Sequence, residues 1–321
     1  MSCFDHTSRV KLQHGGLKTC IIRCGMRFLR HVTLGCEDAW RTVAASCDTL
    51  SRDRMAHGCC TLWRAGEMVM DLKYRLLLAE KRFYPFRRWP RAQAQSVLFP
   101  GCGFAAQFPR TLEALEKLCA QHGVPVAHDC CGSPFGESGR VEDAVRFADK
   151  LGRRLERLGT REVIVVCPNC QRHMRDTLDV SVVSIYRKLE EWGVASGGVE
   201  LEGLVFHPCP ERERPVMWPD IEPLVAGCEL APISGVPCCG LRGDIAARGP
   251  EPARKLCAKA ARQVGDDSLY VYCASCGGQF ARHGLPDVRH VLSALLGVDE
   301  RPDCKHSVKN RVAAKMRRRE S

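Results

Sequence analysis

The sequence predicts an α/β protein of two tandem units with mostly parallel sheets, preceded by a partly helical N-terminal region. Three observations carry this expectation. A set of cysteines recurs at a fixed distance, short apolar runs lead into those cysteines, and helical periodicities fill the gaps between the runs. The first set is Cys102, the pair Cys130–Cys131, and Cys167 with Cys170; the second is Cys209, the pair Cys238–Cys239, and Cys273 with Cys276. Their offsets are 107, 108, 106 and 106 residues, so one unit of about a hundred residues occurs twice.

The strands come from the apolar runs. Val97-Leu98-Phe99 precedes Cys102 and Leu204-Val205-Phe206 precedes Cys209; Val163 to Val166 runs into Cys167 and Leu269 to Tyr272 into Cys273. Short runs rich in β-branched and aromatic residues read as buried strands. A further strand is expected at Val182 to Ile185 and, 106 residues on, at Val288 to Val291. The helices follow from 3.6-residue spacing. Leu112, Leu115, Leu118 and Cys119 share a face, as do Val141, Ala144, Val145, Ala148, Leu151, Leu155 and Leu158, with Gly159 ending that helix. In the second unit Ala253, Leu256, Cys257, Ala260 and Val264 share a face and Gly265 ends it. Alternating strands and helices give a Rossmann-like parallel sheet with helices on both faces. Such sheets bind ligands beyond the carboxyl ends of their strands, where five cysteines can converge in each unit.

These signals divide the chain into an N-terminal region at 1–95, two units at 96–200 and 201–300, and a basic tail at 301–321. A helix is expected over 67–83, and Pro85-Phe86-Arg87-Arg88-Trp89-Pro90 reads as a linker. Lys305 to Arg319 contains no acidic residue, which reads as a solvated, disordered tail and not as a nucleic-acid site.

The 321 residues suit about two domains. A chain this long does not need disulfide staples, yet it has 21 cysteines. Residues 1–30 show no sustained apolar run, and no stretch matches the roughly 18 apolar residues of a membrane span. Cysteine-rich, without a secretory signal or transmembrane segment, the chain is expected in the cytoplasm, with its cysteines engaged in metal chemistry.

A C-x-x-C pair opening a helix offers two thiolates to one metal, and the helix N-terminus favours the anion. A structural zinc takes four ligands, and here each set holds five cysteines. Neighbouring cysteines on a strand point to opposite faces; Gly132 and Gly240, which follow the pairs, let the chain turn so that both thiols face one site.

A lone cysteine, then Cys-Cys-Gly, then C-x-x-C, twice over residues 96–297, resembles the CCG cysteine-rich domain. The tandem arrangement is similar to the CCG-bearing subunit of heterodisulfide reductase and to the iron–sulfur subunits of glycolate oxidase, lactate-utilisation and anaerobic glycerol-3-phosphate dehydrogenase systems. The resemblance implies two [4Fe-4S] clusters of the noncubane kind. One would be held by Cys102, Cys130, Cys131, Cys167 and Cys170, the other by Cys209, Cys238, Cys239, Cys273 and Cys276. It also implies an oxidoreductase subunit that reduces a small disulfide or relays electrons. Many relatives carry a ferredoxin-like C-x2-C-x2-C-x3-C-P segment, and this chain has none. Electrons would then come from a flavoprotein or a ferredoxin-type partner.

Three other readings stand beside this one: an electron-transfer subunit of a flavin-dependent hydroxyacid or glycerol-3-phosphate dehydrogenase complex, a zinc-binding scaffold, and metal-free thiol–disulfide exchange at a C-x-x-C pair. Cys20, Cys24, Cys36, Cys47, Cys59 and Cys60 match no ligand spacing and are read as buried thiols. Cys119, Cys257, Cys228 and Cys304 are read as packing residues. His128, His173, His207 and His283 flank the motifs; His207 and His173 are the first candidates to hand a proton to a departing thiolate.

Overall fold

Each apolar run that leads toward a cysteine is a strand in the computed structural model, which describes residues 70–194 and 199–317, all within one compact unit, Val69–Ser321. In chain order the elements begin with α1 (Leu72–Phe83), β1 (Ser96–Phe99), α2 (Phe104–Gln107), α3 (Pro109–Gln121), α4 (Ser133–Glu137) and α5 (Val141–Arg157). The first half ends with β2 (Glu162–Val165), α6 (Pro168–Thr177), β3 (Ser181–Ser184) and α7 (Ile185–Glu191). The second half runs β4 (Glu202–Phe206), α8 (Cys209–Glu213), α9 (Trp218–Ile221), a 3-10 turn at Glu222–Val225, β5 (Glu229–Pro232), α10 (Gly243–Ala246) and α11 (Pro250–Val264). It closes with β6 (Leu269–Val271), α12 (Ala274–Arg282), β7 (Val288–His290), α13 (Val291–Leu295) and α14 (Ser307–Met316).

All strand pairs are parallel. The first sheet has the order β1-β2-β3 and the second β5-β4-β6-β7. The sheets match once an isolated bridge is counted. Leu98 pairs in parallel with Val126, and 107 and 106 residues later Val205 pairs with Pro232. β5 escapes the sequence pattern because Glu229-Leu230-Ala231-Pro232 is an edge strand, largely exposed, and proline is tolerated only at such edges. The inner strands are buried on both faces, which is why they read as unbroken apolar runs.

The helices start and stop on local signals. Proline occupies the first turn of α3 and of α11, where the missing N–H costs nothing. Gly159 and Gly265 follow α5 and α11 with φ of 65° and 56°. On α5 the buried face uses Phe147 with Ala144, Ala148, Leu151 and Leu155, and leaves Val141 and Val145 exposed, contrary to the seven-residue face expected.

Two expectations are corrected. Over its described residues, 301–317, the basic tail is not disordered: α14 buries Asn310, Arg311 and Ala314. Arg311 pairs with Glu80 on α1, Asn310 Nδ2 donates to the Ala106 carbonyl at 3.1 Å, and Lys315 Nζ donates to the Pro85 carbonyl at 2.7 Å. Upstream, Glu300 caps α3, accepting from the Arg110 and Thr111 amides at 2.8 Å each. Charge composition cannot reveal such partners, because they lie some 190 to 230 positions away. Nor is 85–90 a free linker. Arg88 forms a backbone bridge with His128, while Arg87 Nε and Trp89 Nε1 donate to the buried Asp129 carboxylate at 2.8 and 2.9 Å. The helix expected over 67–83 is present from Leu72 among the described residues.

His290 yields a stability prediction. It is fully buried, its ring packs edge-on against Phe104 and Phe108, and its Nδ1 accepts from the Leu292 amide at 3.2 Å. Burial pushes its pKa down to about 3. Between about pH 6.5 and 3 the unfolded chain therefore binds a proton that the folded chain refuses. Stability rises with pH through that window and falls by about 1.4 kcal/mol for each unit below 6.5. His290→Asn keeps a capping acceptor without the titration. Denaturant unfolding between pH 4 and 7 should lose the slope of one proton in this variant; an unchanged slope would show that His290 already titrates freely.

Candidate metal centre

Each C-x-x-C motif sits where a strand hands over to a helix. Cys167 and Cys273 are the extended N-cap residues of α6 and α12, and Cys170 and Cys276 lie in the first turns. The capping carbonyls are used locally, Cys167 O by the Gln171 amide and Cys273 O by the Gly277 amide, leaving the thiols free to face the strand ends. At the cysteine pairs the chain turns as anticipated. Gly132 and Gly240 have φ of 90° and 95°. A Cβ on Gly132 would meet the Phe147 ring at 2.9 Å, and one on Gly240 would lie 2.5 Å from Ala253 Cα, so both the backbone angle and the close approach call for glycine.

The ten predicted cysteines fall into two groups of five, each a series of neighbouring thiols. In the first group the order is Cys102, Cys130, Cys131, Cys170, Cys167. In the second it is Cys209, Cys238, Cys239, Cys276, Cys273. Cys167 also neighbours Cys273, so the two series meet end to end. The whole run is a palindrome in the repeat: each residue and its counterpart stand equally far from the central link. Contact between equivalent residues marks a two-fold relation. A second contact of this kind is between elements: α4 and its counterpart α10, the helices that follow the two Cys-Cys-Gly turns, pack together, and the Gly243 amide donates to Glu137 Oε2 at 3.3 Å. The two units thus face each other about a pseudo-two-fold axis, with both cysteine sets toward it.

Neighbouring groups set the charge of these thiols. Hydrogen bonds from Cys130 and Cys170 hold Cys131 down to about 6, and bonds from Cys170 and Cys273 hold Cys167 well below its ordinary value. Bonds from Cys209 and Cys239 lower Cys238, whose sulfur also accepts the Gly240 amide at 3.2 Å. Their donor partners are raised in turn. Two cations face the sets: Lys81 of α1 lies near Cys102 and Cys130, and Arg242 near Cys209 and Cys238. Arg242 is held bidentately by Asp244 at 2.7 and 2.8 Å. Sequence reasoning missed both. Lys81 precedes the repeat and arrives only through packing of α1, whereas Arg242, two residues past Gly240, had positional proximity as its only signal.

The histidines divide. His128 pairs with Glu116 at 2.9 Å, and His283 contacts Gln279 at 3.2 Å. His207 Nδ1 contacts the Tyr272 hydroxyl at 2.8 Å, against the Trp218 ring. Burial pushes His173 down to about 4, and its Nε2 has no partner among the described residues. His173 and His207, both lowered by burial, are neutral at pH 7 and serve as N–H or lone-pair partners, not as imidazolium acids. Two buried tyrosines unforeseen from the sequence, Tyr186 and Tyr272, lie near Cys273.

Cys119 and Cys257 are buried, with pKa values pushed up to about 12, as packing residues should be. Cys228 and Cys304 donate to the Val199 and Gly278 carbonyls. The six N-terminal cysteines lie outside the described residues. Among the described residues, no group of three or more His, Cys, Asp or Glu side chains is disposed about a single metal ion. The donor sets are thiols alone, the soft ligands that suit iron–sulfur clusters. The side-chain carboxamide of fully buried Gln171, on α6, also has no partner among the described residues. Thiol-only donors and orphaned polar atoms on the C-x-x-C helix together fit a bound inorganic group.

Residues 96–175 match the family model CCG, described as a cysteine-rich domain, so the resemblance drawn from the cysteine spacing holds over that segment. A subunit of the fumarate reductase (CoM/CoB) of Methanothermobacter marburgensis is 25% identical over 213 residues, covering 60% of this chain. The chain spans 43% of that relative's length. Among solved structures, the Picrophilus torridus aspartate racemase aligns at 12% identity over 68% of this chain and all of that one, with a TM-score of 0.33. The allantoin racemase of Klebsiella pneumoniae aligns at 15% identity over 64% and 85%, with a TM-score of 0.28. Likenesses at that level carry no argument about activity. Among the described residues no helix is long and apolar enough to cross a membrane.

Proposed function

We propose that this chain, with a CCG cysteine-rich domain at residues 96–175 and a repeat of its cysteine pattern at 209–276, is an iron–sulfur redox subunit that binds two noncubane [4Fe-4S] clusters and reduces a small disulfide. The observation that supports it most is the meeting of two five-thiol sets through Cys167 and Cys273. Cys102, Cys130, Cys131, Cys167 and Cys170 would hold one cluster; Cys209, Cys238, Cys239, Cys273 and Cys276 the other. When bound, the clusters supply one-electron chemistry and iron sites with affinity for sulfur. A disulfide takes up two electrons and two protons to become two thiols, and the electrons come from a partner subunit.

The chain's own residues position and insulate. Cys167 and Cys273 bring the two sets together at the axis, so a substrate lying there meets both. Tyr186 and Tyr272, both fully buried, shield the junction from water. Lys81 and Arg242 offset the negative charge that thiolates and clusters accumulate. The His207 Nδ1–Tyr272 OH pair can hold a proton at the phenol oxygen, near Cys273. The electron-relay reading keeps the same metal content and omits the disulfide; the zinc scaffold reading does not.

Strictly anaerobic purification with iron, sulfide and zinc analysis, and electron paramagnetic resonance on the same sample, tests the proposal. About eight irons with matching sulfide, as two four-iron clusters, is the expected result. Colourless, zinc-loaded protein would overturn it. Iron-loaded protein that reduces no disulfide when given electrons would leave the relay reading.

A further inference from the structure

The outer face of α1 has no role in anything described so far. Leu72, Leu76, Ala79 and Phe83 follow at i, i+4, i+7 and i+11, which puts them on one stripe. Leu72, Leu76 and Phe83 are 66%, 62% and 74% exposed. Scattered exposed leucines need no explanation, but an aligned apolar stripe on one helix does. The opposite face is fully engaged. Tyr74 and Leu78 pack in one cluster with Tyr84, Cys130 and Cys102, and Lys81 lies near the same two thiols. α1 is therefore a wall one helix thick, about 10 Å, between solvent and the first cysteine set.

At its C-terminal end the stripe opens into a cleft of about 440 Å³. Phe83, Phe135 and Phe147 form its apolar part, and Arg82, Arg87, Arg146 and Lys150 outnumber its one carboxylate, Asp143, which pairs with Arg82, while Glu142 at the rim pairs with Arg146 at 3.5 Å. Lys150 makes no ion pair among the described residues. Lys73 and Arg75, both exposed, continue the positive charge along the helix. An apolar anchor with a net basic polar rim is the anatomy of a protein interface. A basic ring selects an acidic partner and speeds its encounter.

We infer that the outer face of α1 and this cleft form the docking surface for an acidic ferredoxin-type electron carrier, which delivers electrons across α1 to the first cysteine set. The inference rests on the cluster reading above. Charge complementarity identifies the occupant, and the wall's thickness explains why an electron donor would seat there. Complexes of this kind are small and transient, in keeping with one helix face and one cleft.

The test uses the full chain, purified anaerobically, and an acidic two-cluster bacterial ferredoxin as the probe. Binding is followed by calorimetry at several salt concentrations, and reduction by stopped-flow with reduced ferredoxin or dithionite. Arg146→Glu with Lys150→Glu should weaken ferredoxin binding at least tenfold and flatten its salt dependence. Leu76→Ser with Phe83→Ser should weaken it by a similar factor with the salt dependence kept. Both double variants alter exposed side chains, so iron content and the dithionite rate should match the wild type. Variants that bind ferredoxin like the wild type, or an iron-loaded wild type that does not bind it at low salt, would overturn the docking surface. Failure of the cluster reading shows separately, as absence of iron from the wild type.

Discussion

Cys131→Ser is expected to strip iron from the first cysteine set while the second stays loaded, and Cys239→Ser to do the reverse. Each is the middle member of its series. Cys131 bonds Cys130 on one side and Cys170 on the other, and Cys239 bonds Cys238 and Cys276. Serine offers a hard oxygen that stays protonated where a thiol ionises, so it is a poor substitute as a ligand to iron. Each variant should fall from about eight irons to about four, as one four-iron cluster is lost. Loss of all iron from either variant would mean that the sets do not load independently. The axis adds a refinement. Because Cys167 and Cys273 touch, Cys167→Ser should also disturb the resonance of the cluster in the second set, whereas Cys102→Ser, at the far end of its series, should not.

Gly240→Ala is the second large effect expected, and it concerns the backbone. At φ of 95° a side chain costs about 1–2 kcal/mol. The added Cβ would lie 2.5 Å from Ala253 Cα, a backbone atom that α11 holds in place. Overpacking of that kind adds about 1–3 kcal/mol. Gly132→Ala has the same strain, but its new Cβ would meet the Phe147 side chain at the edge of a cleft, which can yield. Gly159→Ala, at φ of 65°, has nothing within 4 Å of the new Cβ and should lose only about 1 kcal/mol. Anaerobic denaturant unfolding of the metal-free chains should rank Gly240→Ala worst, Gly132→Ala next and Gly159→Ala mildest. A reversed order would mean that α11 does not press on the Cys-Cys-Gly turn as described. Since the Gly240 amide also donates to Cys238, the first of these variants should load less iron in the second set as well.

The parts legible from the sequence were those that depend on neighbours within a few residues. Strand runs bounded by cysteines, the helix faces of α3 and α11, and the glycines that end α5 and α11 all stand where periodicity and turn chemistry put them. The turns at Gly132 and Gly240 were legible for the same reason, since two adjacent thiols can share a site only if the chain reverses its pleat. β5 was not, because an exposed edge strand carries no apolar run. α14 was not, because its buried face is Asn310, Arg311 and Ala314, residues whose burial depends on Glu80, Ala106 and Gln107 far back in the chain.

The cysteine sets show the division most clearly. Their membership is a matter of spacing, and spacing is local, so the sequence alone determined that the pattern occurs twice and which thiols are equivalent. It did not determine how the two units dock. Matched offsets hold equally well for units stacked by translation and for units facing each other. Surfaces that no single repeat contains decide between the two. α2 packs against α12, where any side chain on Gly103 or Gly278 would run into Ser275 or Gln107, and α4 meets its counterpart α10 through Glu137 and Gly243. That packing turns one unit about an axis and brings Cys167 to Cys273. It also lays α1, with Lys81 on its inner side and a basic apolar face outside, over only one of the two sites. Only the tertiary structure makes the repeated sites unequal, because the repeat encodes each site's ligands but not what covers them.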